Sequence, residues 1–336
     1  MAKNSPITIG DVTVGPGKRA SINLPIADLY TGTSLSMPVK VVNGLRPGPV
    51  LFVSAAIHGD ELNGVEIVRR LLRQKSLSSL CGTLLAVPIV NVHGFLERSR
   101  YLPDRRDLNR AFPGSAKGSI AARTANTFVR EIVSKADFGI DLHTGALNRT
   151  NLPQVRANLD DEKTMELARV FGAPVIVSST VRDGSLRQYA AESGFPILVY
   201  EAGEALRYDE VSIRAGLRGV KRVMRHLGML PLSRVSKAVA PVVADSTSWV
   251  RAPESGIVSH MAGLGETVVE GQKLAVVSDP LGDAQETVSA PFDGIVIGRS
   301  TLPLAHEGEA LFHIAAFKSL SRAESKVEQF TAKINE

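Results

Sequence analysis

The run PVLFVSAAI, residues 49–57, is apolar throughout apart from Ser54. A half-exposed strand alternates apolar and polar residues, so an uninterrupted run of this length belongs to a strand covered on both faces. It is followed by ELNGVEIVRRLLRQ (61–74), in which Leu62, Val65, Ile67, Val68, Leu71 and Leu72 recur at helical spacing. The change of period from continuous to 3.6 is then repeated. TLLAVPIVN (83–91) reads as a second buried strand, and GSIAARTANTFVREIVSKA (118–136) as a helix with Ser119 as its cap. DFGIDLH (137–143) is a strand, EKTMELARVFG a helix, APVIVSS a strand and GSLRQYAAESG a helix. FPILVYEAG (195–203) is a further strand, and the helix over 208–228 closes the series. Strands alternating with helices of this length predict an α/β fold, with a mixed, largely parallel sheet and helices on both faces. Residues 6–48 add short strands with Gly/Pro turns, and 92–117 read as a long irregular stretch.

At 336 residues the chain is long enough for two domains at about 150 residues each. The texture changes after LPLSRVSKAVAPV (230–242), which reads as a linker. Beyond it helical periodicity gives way to short β-like runs. APESGIV (252–258) recurs as APFDGIV (290–296), 38 residues later, and VEGQKL (269–274) recurs loosely as HEGEAL (306–311). Neither half is long enough to close a core alone, so together they predict a small two-fold β-sandwich. The expected organisation is an α/β domain over 1–238, a repeat-containing β domain over 239–320 and a C-terminal tail over 321–336. The repeat is similar to the barrel-sandwich hybrid of lipoyl and biotinyl carrier domains. Its hairpin, VVSDPLGDAQETVSAP, contains no Lys to modify, so the similarity implies a structural relative and not a carrier.

Composition excludes several classes. A net charge of +5 with 5% aromatic residues, without basic and aromatic residues clustered together, does not suit a nucleic-acid partner; it suits a small anionic substrate. No run of about 18 apolar residues exists, so no membrane span is expected. MAKNSPITIG lacks the pattern of a signal peptide, and the single cysteine, Cys81, forms no intrachain disulfide. The expected compartment is the cytoplasm, and Cys81 at the start of an apolar strand reads as an inert thiol. The apolar repeat leaves room for a homo-oligomer interface.

Chemistry concentrates at three strand ends. His58 follows the strand 49–57 and Glu61 opens the next helix; His143 ends DLH; Glu201 ends the strand in YEAG. In an open α/β sheet the carboxyl ends of the strands form one edge, where ligands bind. Two His and one Glu, two of them closely spaced and one distant, make a zinc-hydrolase ligand set, so His58, Glu61 and His143 are the candidate ligands of one Zn2+ per chain. Glu201 is the candidate general base, and Gly59 is expected to let the chain turn tightly between the two near ligands. Asp141 is a candidate to orient His143. The loop RSRYLPDRRDLNRAFPG (98–114) holds Arg98, Arg100, Arg105, Arg106, Asn109 and Arg110, donors that match a carboxylate. His226 near a helix C-terminus reads as favourable to the helix dipole. His260, His306 and His313 read as surface or strand residues. The absence of Gly-x-Ser-x-Gly disfavours a serine hydrolase.

HGDE, DLNR with the following FPG, DLHTG and the strand-end EAG, in this order, resemble the succinylglutamate desuccinylase/aspartoacylase family of the zinc carboxypeptidase-like superfamily. The resemblance spans roughly residues 45–230. It implies His58, Glu61 and His143 as zinc ligands, Glu201 as base and proton shuttle, and Asn109 and Arg110 as binders of a substrate carboxylate. It also implies an oxyanion-stabilising Arg. Arg100 matches best, with Arg98 and Arg106 as alternatives. NVHGF departs from the family pattern, with Val92 and His93 where Pro is common. The implied activity is hydrolysis of an amide bond in a small N-acyl amino acid or related carboxylate-bearing molecule. The rival readings are a zinc carboxypeptidase acting on peptides and a catalytically degenerate ligand-binding protein.

Overall fold

The chain begins with a hairpin, β1 (Ile7–Ile9) and β2 (Val12–Val14), then two long strands, β3 (Arg19–Asp28) and β4 (Ser34–Asn43). This is a computed structural model, and it describes residues 2–158, 160–178, 182–232 and 239–335. Residues 233–238 of the expected linker, and with them the expected boundary at 238, lie outside the described residues. The α/β section runs β5 (Arg46–Ala55), α1 (Asn63–Leu72), β6 (Cys81–Val87), α2 (Val92–Glu97) and α3 (Ile120–Glu131). It continues with β7 (Phe138–Gly145), β8 (Arg149–Ala157), α4 (Glu162–Phe171), β9 (Val175–Ser178), α5 (Leu186–Glu192), β10 (Ile197–Glu204) and α6 (Glu210–His226).

The centre of the sheet is parallel, in the order β6-β5-β7-β10. Both faces are covered, as the apolar run in β5 requires. Leu51, Val53 and Ala55 pack with α1, α4 and α6, whereas Phe52 packs with α3 and the N-terminal strands. Phe52 stacks on Phe195 and meets Phe128 edge-on, with centroids at 5.8 and 5.7 Å. Because β6 lies on one side of β5 and β7 on the other, the order in which strands are added reverses there, opening a crevice at the carboxyl ends.

The sheet is mixed, as expected: parallel pairing recurs beyond this centre between β8 and β9, and other strands around it pair antiparallel. β4 pairs antiparallel with β6 and β3, and β8 pairs antiparallel with β10. The turns at 29–33 and 146–148 are too short for a parallel crossover, so β3/β4 and β7/β8 reverse direction. Two expectations change. The stretch 92–117 opens with α2, whose start is capped by Asn91 accepting from Gly94 N. The strand expected over 83–91 stops at Val87, ahead of Pro88.

Beyond residue 239 the chain adds β11 (Val242–Ala244), β12 (Ser246–Arg251), β13 (Gly256–His260), β14 (Thr267–Val268) and β15 (Lys273–Ser278). It ends with β16 (Gln285–Ser289), β17 (Gly294–Ser300), β18 (Leu304–Ala305), β19 (Ala310–Ala316) and α7 (Leu320–Asn335). The two sequence copies are visible in the pairing. β12-β19-β17-β14 and β16-β15-β13-β18 are equivalent rows, each taking two strands from β12–β15 and two from β16–β19. They enclose Val258, Val268, Leu274, Val296, Phe312 and Ile314. Only the first row continues into the large sheet, where β17 pairs with β8. The expected tail over 321–336 is, through Asn335, the helix α7. Its Phe330 and Ile334 join the core beside α6, and Ala323 and Val327 pack under β17.

Candidate active site

The loop after β5 is held in an unusual shape. Ala55 and Ala56 carbonyls accept from Val90 and Asn91 at 3.0 and 2.9 Å, and Ala56 has φ 50°, a left-handed conformation uncommon for a residue with a Cβ. Gly59 does not adopt positive φ, so the expectation of a tight glycine turn is corrected. Its role is close approach: a Cβ there would lie 1.9 Å from the Gly94 backbone of α2. Glu61 N bonds back to His58 O at 3.2 Å, closing one turn that sets both side chains on the same side. Gly64 then lets α1 press onto β5 and β7, where a Cβ would meet Ala55 and Leu142 at 2.8 Å.

His58, Glu61 and His143 converge, with one ligand atom from each lying within 4.8 Å of the others, and all three are buried. His58 Nδ1 is 2.6 Å from Glu61 Oε1 and His143 Nδ1 is 2.8 Å from Glu61 Oε2. The far nitrogens are also engaged, His58 Nε2 by Asp107 at 3.1 Å and His143 Nε2 by Asp141 at 2.6 Å. A carboxylate only accepts, so each Nε2 carries a proton and donates it. Asp141 is itself fixed by Ser54 Oγ at 2.7 Å. Burial alone would lower both imidazoles, but the Glu61 charge lifts His58, and Asp141 with Glu61 lifts His143 well above its ordinary value. Burial would raise Glu61, yet His58 and His143 hold it far below the usual carboxylate range. This pocket of carboxylates and imidazoles stabilises positive charge, and the His58–Glu61–His143 group can hold a metal ion through two imidazole nitrogens and one carboxylate.

The loop between α2 and α3 brings one arginine to this group. Arg100 Nη1 lies 3.6 Å from Glu61 Oε1, and its Nε and Nη2 donate to Asp107 Oδ2 at 3.2 and 2.9 Å. The alternatives lie elsewhere. Arg98 ends α2 in a left-handed conformation, and Arg106 is mostly exposed, 4.0 Å from Asp104. Asp107, which the sequence reading passed over, is the hub: its Oδ1 also accepts from Asn109 N at 2.8 Å. Asn109 Oδ1 accepts from Leu186 N at 3.0 Å, tying the loop to the start of α5. Arg110 is exposed beside it and donates to the Asn109 carbonyl.

Glu201 stands in β10 directly across from His143 in β7. Partners in a parallel ladder share a face, so the carboxylate and the ligand group face the same crevice. Glu201 Oε2 accepts from Arg156 Nη2 at 2.9 Å and from Asn151 Nδ2 at 3.1 Å, both on β8. His93 lies in α2, where burial lowers its imidazole. His226 pairs with Glu166 at 3.2 Å. His313 is a buried strand residue: burial, then the charge of Arg156, pushes it down to about 4.

Residues 47–227 match the model of the succinylglutamate desuccinylase/aspartoacylase catalytic domain. The chain belongs to the succinylglutamate desuccinylase/aspartoacylase family. Within related sequences, N-alpha-acetyl-L-2,4-diaminobutyric acid deacetylase of Halomonas elongata is 26% identical over 309 residues, covering 88% of this chain and 90% of that one. The product-bound structure of the ectoine utilization protein EutE (DoeB) of Ruegeria pomeroyi superposes with a TM-score of 0.83 at 25% identity, over 94% of this chain and all of that one. A succinylglutamate desuccinylase/aspartoacylase of Rhodobacter sphaeroides shares the fold, with a TM-score of 0.79 at 24% identity over 89% of this chain and 96% of its own. The match to the family's catalytic domain ends at 227, and the structural match to the Ruegeria protein runs on through the repeat. Among the described residues, no helix is long and apolar enough to cross a membrane.

Proposed function

We propose that this chain is a zinc-dependent amidohydrolase that removes the acyl group from an N-acyl amino acid or a close relative. The convergence of His58, Glu61 and His143 under Asp107 and Asp141, with Glu201 facing the same crevice, carries the reading. Two imidazole nitrogens and a carboxylate form a catalytic zinc set, and the deep burial of these groups fits it. Held by His58, Glu61 and His143, zinc would supply Lewis-acid activation of a water and of the substrate carbonyl.

The chain's own residues do the rest. Glu201 takes the proton from the attacking water and passes it to the departing amine. Arg100, anchored by Asp107, donates to the oxygen on which negative charge develops. Asn109, whose Oδ1 is committed to α5, offers Nδ2 to the substrate carboxylate, and Arg110 adds a guanidinium. The Halomonas relative's name makes Nα-acetylated diamino acids the first substrates to try. We assign the repeat over 239–320 to a barrel-sandwich-hybrid-like domain docked on a hydrolase domain over 1–238. The cytoplasmic placement rests on the free thiol Cys81.

The test is a hydrolysis screen of N-acyl amino acids against short peptides, with zinc restored and amine release as readout. Glu201→Gln should lower kcat by about 10²–10⁴-fold while zinc stays bound. Near-normal turnover of that variant, or cleavage of peptides alone, overturns the proposal.

A further inference from the structure

Glu201 is held in an uneven way. One oxygen, Oε2, receives both Arg156 Nη2 at 2.9 Å and Asn151 Nδ2 at 3.1 Å. The donors are five residues apart on β8. In a regular strand, side chains at that spacing point to opposite faces. The ladder between β8 and β10 shows why they do not. Glu201 pairs with Gln154, but Gly203 pairs with Asn151, so β8 spends three residues where β10 spends two. The bulge flips the face of β8 and turns both donors toward Glu201.

Two further observations show that the arrangement is built. The Arg156 side chain is 21% exposed and its Nε is buried with no hydrogen-bond partner. A buried orphan donor is costly and calls for a reason. Asn151 needs space from the neighbouring β17, and Gly298 supplies it: a Cβ there would lie 2.8 Å from Asn151 Oδ1. The second copy of the repeat therefore takes part in holding the carboxylate.

We propose that Arg156 is a positioning residue that acts through Glu201, with Asn151 as its partner. The pair fixes Oε2 and leaves Oε1 to take and return the proton. This rests on the reading of Glu201 as base. Acting through Glu201, Arg156 sets kcat and leaves KM nearly unchanged.

The test uses the full chain with zinc restored, in a double-mutant cycle. Arg156→Met should lower kcat by about 100-fold, the loss expected for a reactive group displaced by about an ångström, with KM within about threefold of the parent. Arg156→Lys should recover about tenfold, because the charge returns without the planar fork. In a Glu201→Gln background, Arg156→Met should change kcat by less than about twofold. If Arg156→Met does not fold, Asn151→Ala takes its place in the cycle. A rise in KM with kcat unchanged, or a full additional loss in the Glu201→Gln background, overturns the positioning role. An inactive Glu201→Gln beside a fully active Arg156→Met refutes this inference alone. A fully active Glu201→Gln refutes the base itself.

Discussion

Asp107→Asn separates the support of the metal group from the group itself. In the parent, Oδ1 accepts from His58 Nε2 and Asn109 N, and Oδ2 accepts twice from Arg100. An amide of the same shape keeps one accepting oxygen. Its NH2 must face either the imidazole and the Asn109 N–H or the Arg100 guanidinium, donor against donor in both cases. Hydrogen bonds to charged groups contribute about 1.5–3 kcal/mol. Asp107 and Arg100 are partly open to water, at 14% and 27% exposure, so the low end applies. Losing an outer partner of a metal-binding His costs about 10–100-fold in metal affinity. That range corresponds to about 1.4–2.7 kcal/mol, in agreement with the loss of one such charged bond. The assay is zinc competition against a chromogenic chelator at fixed pH, beside turnover of the best substrate from the screen. Zinc affinity and turnover both within about twofold of the parent, well inside the expected range, would refute the assignment of Asp107 as the hub.

Two further outcomes concern stability. Hydrogen bonds from Arg69, then Arg70, hold the Glu66 carboxyl down at about 2 against an ordinary 4.5. A depressed carboxylate contributes in full above the unfolded value and loses the contribution as pH falls. The gap in urea midpoint between the parent and Glu66→Gln should therefore be constant above pH 4.5 and close on approaching about 2; a pH-independent gap contradicts this. Ile295 is fully buried, whereas its repeat counterpart Ile257 is 41% exposed. Ile295→Thr should cost about 2–3 kcal/mol through lost packing and a buried hydroxyl. Ile257→Thr should stay within about 0.5 kcal/mol, and equal losses in chemical denaturation would overturn the assignment of the inner row.

The sequence was most readable where burial and chemistry used different residues. The apolar run in β5 announced a strand covered on both faces, and His58 and Glu61 followed it on a separate loop. β8 was missed because it does both jobs at once. Its Arg149, Asn151, Gln154 and Arg156 face the crevice side and its bulge breaks the alternation, so no clean period survives in RTNLPQVRA. Arg156 and Asn151 were hidden with it. Asp107 was passed over for another reason: an acid between Arg106 and Leu108 looks like a solvated charge until the loop folds back onto His58. The helix α7 was legible, with Ala323, Val327, Phe330 and Ile334 at helical spacing, and was nonetheless read as a tail. Gly59 had a clear signal but a misassigned cause, since the constraint comes from Gly94, 35 positions further along.

The two repeat copies were joined to the rest of the chain unequally. Ile297-Gly298 after the second Gly-Ile-Val enters the large sheet beside Asn151, and the same place in the first copy is Ser259-His260 on an outward row. Identical letters in the two copies therefore answer to opposite demands. A comparison that superimposes the copies would average a position facing water with one wedged under α7. For this protein, the tolerance of a repeat residue to change has to be judged from the row it occupies, and the resemblance between the copies is a poor guide to it.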